Sequence, residues 1–321
     1  MRFGYFDDIN KEYVIQSPTP PYPWINYLGS EDFFGLISHS GGGYCFYKDA
    51  RLRRLLRYRY NSVPIDSVGR YFYVRDGEDV WTCGYHPVKA ELDEYECRHG
   101  LGYTRIMGRR NGVSVEQLSL VPMGYNGEIH RLRITNHTGA QKTVKLFSYV
   151  EFCLWDANDD MTNFQRNFST GEVLIEESAV YHITEYRERR NHYAFYAVNA
   201  PLSGYDTDRD SFVGLYNGLH APQAVTEGKS RNSVASGWAP IASHCVEVRL
   251  DAGEEKDLVF NLGYVENPVN EKFTAGGKVN LTRAKKMIDA YADSAAVDKA
   301  MEVLKENWDA LLSRFTLAHH D

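Results

Sequence analysis

Arg70-Tyr71-Phe72-Tyr73-Val74-Arg75-Asp76-Gly77-Glu78-Asp79-Val80-Trp81-Thr82-Cys83 decides the fold class. Two short runs of aromatic and β-branched residues flank an Asp-Gly pair, the strongest short-range signal for a hairpin. The same grammar repeats on both sides of it. Tyr5-Phe6 and Tyr13-Val14-Ile15 flank the polar turn Asp8 to Lys11, and Gly41-Gly42-Gly43 leads into Tyr44-Cys45-Phe46-Tyr47. Asn111-Gly112 introduces Val113 to Val121, Ile129 to Ile134 precedes Asn136-His137-Thr138-Gly139, and Val144 to Val150 alternates again. Further strand-like runs follow at 173–175, 193–198, 245–250 and 258–264. So many strands joined by short polar turns predict a mainly β protein, a large sandwich of two antiparallel sheets stacked face to face.

Three stretches break that rhythm. Ser17 to Trp24 holds four prolines, which exclude helix and central strand and leave a stiff extended strap. Tyr205 to Trp238 is long, polar and Gly-rich, and is expected to be a loop that shapes a surface. From about residue 280 the residues become helix formers. Val297, Met301, Leu304, Trp308 and Leu311 then recur at helical spacing, an apolar stripe that must bury against a partner, with Ser294 placed to cap its start. The chain divides at 274/275, a sandwich over 1–274 and a helical linker over 275–321.

Composition narrows the function classes. Of 321 residues 43% are apolar, enough for a large core, and 23 Tyr suit pleated, half-buried surfaces. The formal net charge of -7 excludes a nucleic-acid partner, which would require a basic face. Neither a leader's apolar region nor a membrane-length apolar run is present, and five scattered cysteines without a C-x-x-C read as reduced thiols. A cytoplasmic protein with no membrane association is expected.

The motifs that could carry chemistry are few. Three glycines at 41–43 are followed by neither a helix pattern nor Lys-Ser/Thr, so a turn is read there rather than a phosphate cradle. Arg51 to Tyr60 holds five arginines, and the alternation of Leu56, Tyr58 and Tyr60 with Arg57 and Arg59 reads as a half-buried strand. Its arginines are expected on a solvated face, paired with local carboxylates. None of the eleven histidines sits in a ligand array, so no metal and no cofactor is expected.

The richest stretch is Trp155 to Ser169. It combines acids, amides, one arginine and aromatic rings, the mixture that holds a sugar. Asp156, Asp159 and Asp160 resemble the paired carboxylates of glycoside chemistry but read better as a solvated acidic loop. No general acid with its partner is present, so no catalytic residue is assigned.

Several blocks then carry a resemblance. Gly4 to Asp8 with Glu12 to Ile15, Pro23 to Gly29, Leu56 to Pro64, Gly69-Arg70-Tyr71, Glu96 to Thr104 and Asn163 to Asn167 resemble the amino-terminal region of the cellobiose phosphorylase family, inverting disaccharide phosphorylases of glycoside hydrolase family 94. The resemblance implies an N-terminal supersandwich, a helical linker and an (α/α)₆ catalytic barrel that is absent from these residues. It implies reversible phosphorolysis of cellobiose to α-glucose 1-phosphate and glucose, with inorganic phosphate as co-substrate and a barrel aspartate beyond Asp321 as general acid. Gln165 and Arg166 match the family's acceptor-site pair, and their amide and guanidinium suit adjacent hydroxyls. The resemblance further implies a homodimer with sandwich domains at the interface, and contacts between sandwich and barrel. A stand-alone carbohydrate-binding sandwich is the reading from another class. A sister specificity, for cellobionic acid, laminaribiose or cellodextrin, is the variant within the family.

Overall fold

The turns named above do form, and they set the topology. Asn111 (φ 50°) and Gly112 (φ 75°) are both left-handed, as the tight hairpin between two twisted strands requires. The computed structural model describes residues 3–59, 63–162, 170–185, 191–235 and 239–314. Its strands are β1 (Gly4–Asp7), β2 (Glu12–Ile15), β3 (Ile25–Ser30), β4 (Phe33–Ser38), β5 (Gly43–Tyr47), β6 (Arg54–Leu56), β7 (Tyr71–Asp76), β8 (Asp79–Thr82), β9 (Glu94–Gly100) and β10 (Tyr103–Arg110). They continue with β11 (Val113–Leu120), β12 (Gly127–Asn136) and β13 (Lys142–Trp155), then the short helix α1 (Ala157–Met161), β14 (Thr170–Glu176), β15 (Ala179–Glu185), β16 (His192–Val198) and β17 (Gly204–Asp208). Helices α2 (Arg209–Val213) and α3 (Gln223–Glu227), strands β18 (Pro240–Leu250) and β19 (Glu255–Glu266), and helices α4 (Thr282–Ala290) and α5 (Ser294–Leu312) complete the order.

Among the described residues the strands make two antiparallel sheets. The first has ten strands in the order β1-β2-β9-β10-β11-β12-β19-β16-β15-β14. The second has nine, β17-β18-β13-β6-β5-β4-β3, with the β7–β8 hairpin paired to β13. Their inner faces meet in one core, where Val74, Trp81, Leu146 and Phe152 of the second sheet pack with Val115, Leu132, Phe260 and Leu262 of the first. This is the expected sandwich.

One charged contact crosses that core. Arg70, directly before β7, sends its Nε to Glu128 Oε2 at 2.7 Å, its Nη2 to Oε1, and its Nη1 to the Leu36 carbonyl at 2.8 Å. Both side chains are fully buried. Burial alone would raise the Glu128 pKa, but Arg70 and then His130 hold it below the ordinary carboxylate value. The pair is thus ionised on both sides.

The outer faces are covered unevenly. Phe212 and Val213 of α2 and Ala224 and Val225 of α3 cover Tyr71, Tyr73, Phe147 and Tyr149 on the second sheet. On the first sheet, Ala284 and Met287 of α4 cover Tyr181 and Phe195, and Val297, Ala300, Met301 and Leu304 of α5 cover Tyr103, Leu118, Leu120 and Val259. Salt links reinforce α5, from Arg131 to Asp298 and from Lys11 to Asp309. No helix among the described residues is long and apolar enough to cross a membrane.

Four expectations need correction. Leu311 does not join the stripe: it is 53% exposed, because α5 runs past the sheet after the half-buried Trp308. The cap of α5 is Asp293, which accepts from the Ala296 amide at 2.9 Å, while Ser294 donates to Asp257 at 2.8 Å. The 205–238 stretch is no plain loop, since it holds most of β17 together with α2 and α3 and roofs half a sheet. The arginine-rich strand is only three residues long, and Arg57 beyond it is buried rather than solvated.

Glu128→Ala should lower unfolding stability by about 3–5 kcal/mol in urea titrations, because it strands a buried guanidinium. Leu311→Ala should stay within roughly 0.5 kcal/mol. A further outcome concerns acid. Burial pushes His182 down to about 4 and His244 down to about 3. Their unfolded forms protonate near 6.5, so stability present above that value is lost as pH falls toward the folded values, about 2 kcal/mol per histidine by pH 5. His182 stacks on Phe152 of the opposite sheet (5.0 Å). A His182→Phe variant should therefore remove about 2 kcal/mol of this decline at pH 5.

Candidate functional site

Strand β13 is long enough to serve two purposes. Its first part pairs with β7 and β18, and its end reaches β6 at Phe152 and Trp155. At Trp155 the backbone turns left-handed (φ 70°), and Asp156 then caps α1, its Oδ1 accepting from the Asn158 and Asp159 amides at 2.8 and 3.3 Å. The chain leaves α1 at Thr162. Gln165 and Arg166, the two residues assigned to an acceptor sugar, lie outside the described residues, which resume at Thr170 with β14.

A buried charge cluster holds α1 in place. Arg57 donates from Nη1 to Glu151 of β13, from Nη2 to Asp160 Oδ1 at 2.8 Å, and from Nε to both Asp160 oxygens at 3.1 and 3.2 Å. Arg59 adds Nη2 contacts to the Asp160 carbonyl at 3.1 Å and to Oδ2 at 3.3 Å. Glu151 also accepts from Tyr149 OH at 3.0 Å and faces Arg209 of α2 at 3.5 Å. Burial opposes the charge on Arg57, but Glu151 and then Asp160 outweigh it and hold its pKa above the ordinary value. Forked donors matched to carboxylates make this a rigid joint.

Asp156 and Asp160 are therefore not part of a solvated acidic loop. Asp160 is 3% exposed and saturated by two guanidinium groups, and Asp156 is spent on the helix cap. So engaged, Asp156 and Asp160 are poorly placed for acid–base chemistry. Glu151 was missed in the sequence, although a glutamate inside the apolar run Tyr149-Val150-Glu151-Phe152 signals a buried cation across from it.

A second feature is an open groove of about 680 Å³ walled by Phe6, Tyr13, Trp24, Asn26, His99 and Gly100 among others. Its rings would suit a sugar face. Its main polar groups are spent within the wall, Glu12 on Tyr103 and Arg98, and Asn26 on the carbonyls of Gly100 and Tyr103. Among the described residues no group of three or more His, Cys, Asp and Glu could hold a metal ion.

Residues 11–294 match the supersandwich domain of glycosyl hydrolase 94. The chain belongs to glycosyl hydrolase family 94. It is 34% identical over 324 residues to N,N'-diacetylchitobiose phosphorylase of Vibrio proteolyticus, a match covering 98% of this chain and 38% of that protein. It is 30% identical over 240 residues to solabiose phosphorylase of Paenibacillus borealis, covering 73% of this chain and 31% of that protein. A bacterial glucoamylase in complex with acarbose shares the fold, with a TM-score of 0.51 at 9% identity over 94% of this chain and 40% of that one. This family 94 supersandwich thus spans 38% of the length of the Vibrio phosphorylases it matches.

Proposed function

We propose that this chain is the N-terminal part of an inverting family 94 disaccharide phosphorylase, contributing acceptor-sugar binding through Gln165 and Arg166. The observation that carries the reading is the 34% identity to a disaccharide phosphorylase along 98% of the chain. In the proposed reaction phosphate attacks the anomeric carbon in a single displacement while a barrel acid protonates the departing glycosidic oxygen. Inversion then gives an α-sugar 1-phosphate and a free sugar. The sandwich supplies neither acid nor phosphate site. It presents planar hydrogen-bonding groups to the hydroxyls of the leaving sugar.

Cellobiose is the substrate that the sequence blocks suggest. The Vibrio relatives favour a second reading, N,N'-diacetylchitobiose, because that is the name carried by the matches that span nearly the whole chain. Helices α4 and α5 would lead to the catalytic barrel, and a homodimer with sandwich contacts would complete the enzyme. All five cysteines are buried thiols, which supports a cytoplasmic location.

Phosphate-dependent release of sugar 1-phosphate by the full-length protein, assayed on cellobiose and on N,N'-diacetylchitobiose, tests the reading and separates the two substrates. Disaccharide binding without phosphate consumption would point instead to a stand-alone binding sandwich. Residues 1–321 alone should release no sugar 1-phosphate. In the full-length enzyme, Arg166→Ala should raise the acceptor KM in the synthetic direction about tenfold or more, as loss of a charge-assisted bond of about 1.5–3 kcal/mol implies.

A further inference from the structure

The proline-rich strap over 17–24 has few groups with which to hold on. Its four prolines carry no N–H, and among the described residues its bonds to the sheets run to two histidines. His39, directly after β4, uses both ring nitrogens. The Trp24 amide donates to its Nδ1 at 3.3 Å, and its Nε2 meets the Pro18 carbonyl at 3.2 Å. The His39 amide also donates to the Trp24 carbonyl at 2.9 Å. His99 of β9 donates from Nε2 to that same carbonyl at 3.1 Å, and its Nδ1 lies 3.0 Å from the Thr104 hydroxyl. So held, Trp24 packs edge-on against Tyr13 (5.4 Å) and Phe3 (6.1 Å), and with Pro23 and Ile25 it walls the open groove.

The two rings answer a second proton differently. An amide can only donate, so His39 must keep Nδ1 bare and carry its proton on Nε2, where the Pro18 carbonyl accepts it. Protonated on both nitrogens, it would set one N–H against another. His99 has an escape, because the Thr104 hydroxyl can turn and accept from Nδ1. Burial disfavours charge on both rings, holding His39 below its ordinary value and His99 down at about 4. Of the titratable groups facing His39, Asp66 favours the proton, while His86 and His99 oppose it when charged. Tyr95 donates its hydroxyl to the His39 carbonyl at 2.8 Å.

We propose that the strap is an acid-opened latch with His39 as its sensor. While the His39 ring is neutral the strap is closed and the groove keeps its Trp24 wall. When the ring takes a second proton, the Trp24 amide is released, the strap lifts and the groove loses that wall. Closure requires the neutral ring, so it weakens as pH falls below the exposed-histidine value of about 6.5.

Hydrogen exchange of the full-length protein at about pH 7 and about pH 5, each rate divided by the intrinsic rate at that pH, tests the latch. Protection over 17–25 should fall about tenfold at the lower pH, the equivalent of one buried hydrogen bond. His39→Asn places an untitratable carbonyl oxygen near the Nδ1 position and should abolish this response. Any response of β11 and β12, which follows from His182 and His244, should stay as in the wild type and reports that the variant is folded. His39→Gln, whose amide reaches toward the Nε2 position instead, should leave the strap as open at about pH 7 as the wild type is at about pH 5. His99→Gln should keep the wild-type response. A strap response that survives in His39→Asn, or that vanishes in His99→Gln, would overturn His39 as the sensor. Wild-type strap protection that is the same at both pH values would overturn the latch itself.

Discussion

The fully buried Arg70–Glu128 pair is the constraint on which the sandwich depends. Two ions taken out of water cost several kcal/mol each, and only a close, forked geometry with the remaining donors satisfied offsets that cost. The structure meets the condition by bringing Glu128 of β12 against Arg70 of the opposite layer and giving the spare guanidinium nitrogen the Leu36 carbonyl. The strands around the pair are cut to fit it. A Cβ on Gly35 would lie 2.2 Å from Glu128 Oε1, and one on Gly43 would lie 2.9 Å from Arg70 Nη1. An apolar pair of similar volume could hold the layers as tightly. Ions that must meet also fix which strand faces which, because a shift of one residue would turn Glu128 away from Arg70.

The same device recurs at Arg57, where it serves a different end. Arg70 locks layer to layer, whereas Arg57 locks a five-residue helix, too short to be stable alone, to the end of β13. Both arginines directly follow or precede a strand in the second sheet and reach carboxylates far away in sequence. The first sheet instead carries the long helices on its outer face.

Most of the fold was legible in the sequence because its signals are local. Asp76-Gly77 and Asn111-Gly112 announce hairpins, and Val297, Met301 and Leu304 announce a helix face. What failed was nonlocal or short. The burial of Arg57 depends on partners 94 and 103 residues further along the chain, so its own neighbourhood of arginines and tyrosines reads as a wet strand. Helices α2 and α3 have five residues each, less than the window in which helical periodicity can be seen. Gln165 and Arg166 were singled out through the family's motif, and composition alone pointed no further than the stretch around them.

The pairing of β12 also bears on how the protein is made. β12 lies between β11, its immediate predecessor, and β19, which comes near the end of the strand order. At roughly 5–20 residues per second on the ribosome, the free edge of β12 waits on the order of ten seconds for its neighbour to emerge. During that interval the nascent chain displays an unpaired backbone ladder and a half-built apolar layer, the surfaces from which misassembly starts. Closure of the sandwich is therefore a late event, and chaperone protection of the growing chain matters most between the synthesis of β12 and that of β19.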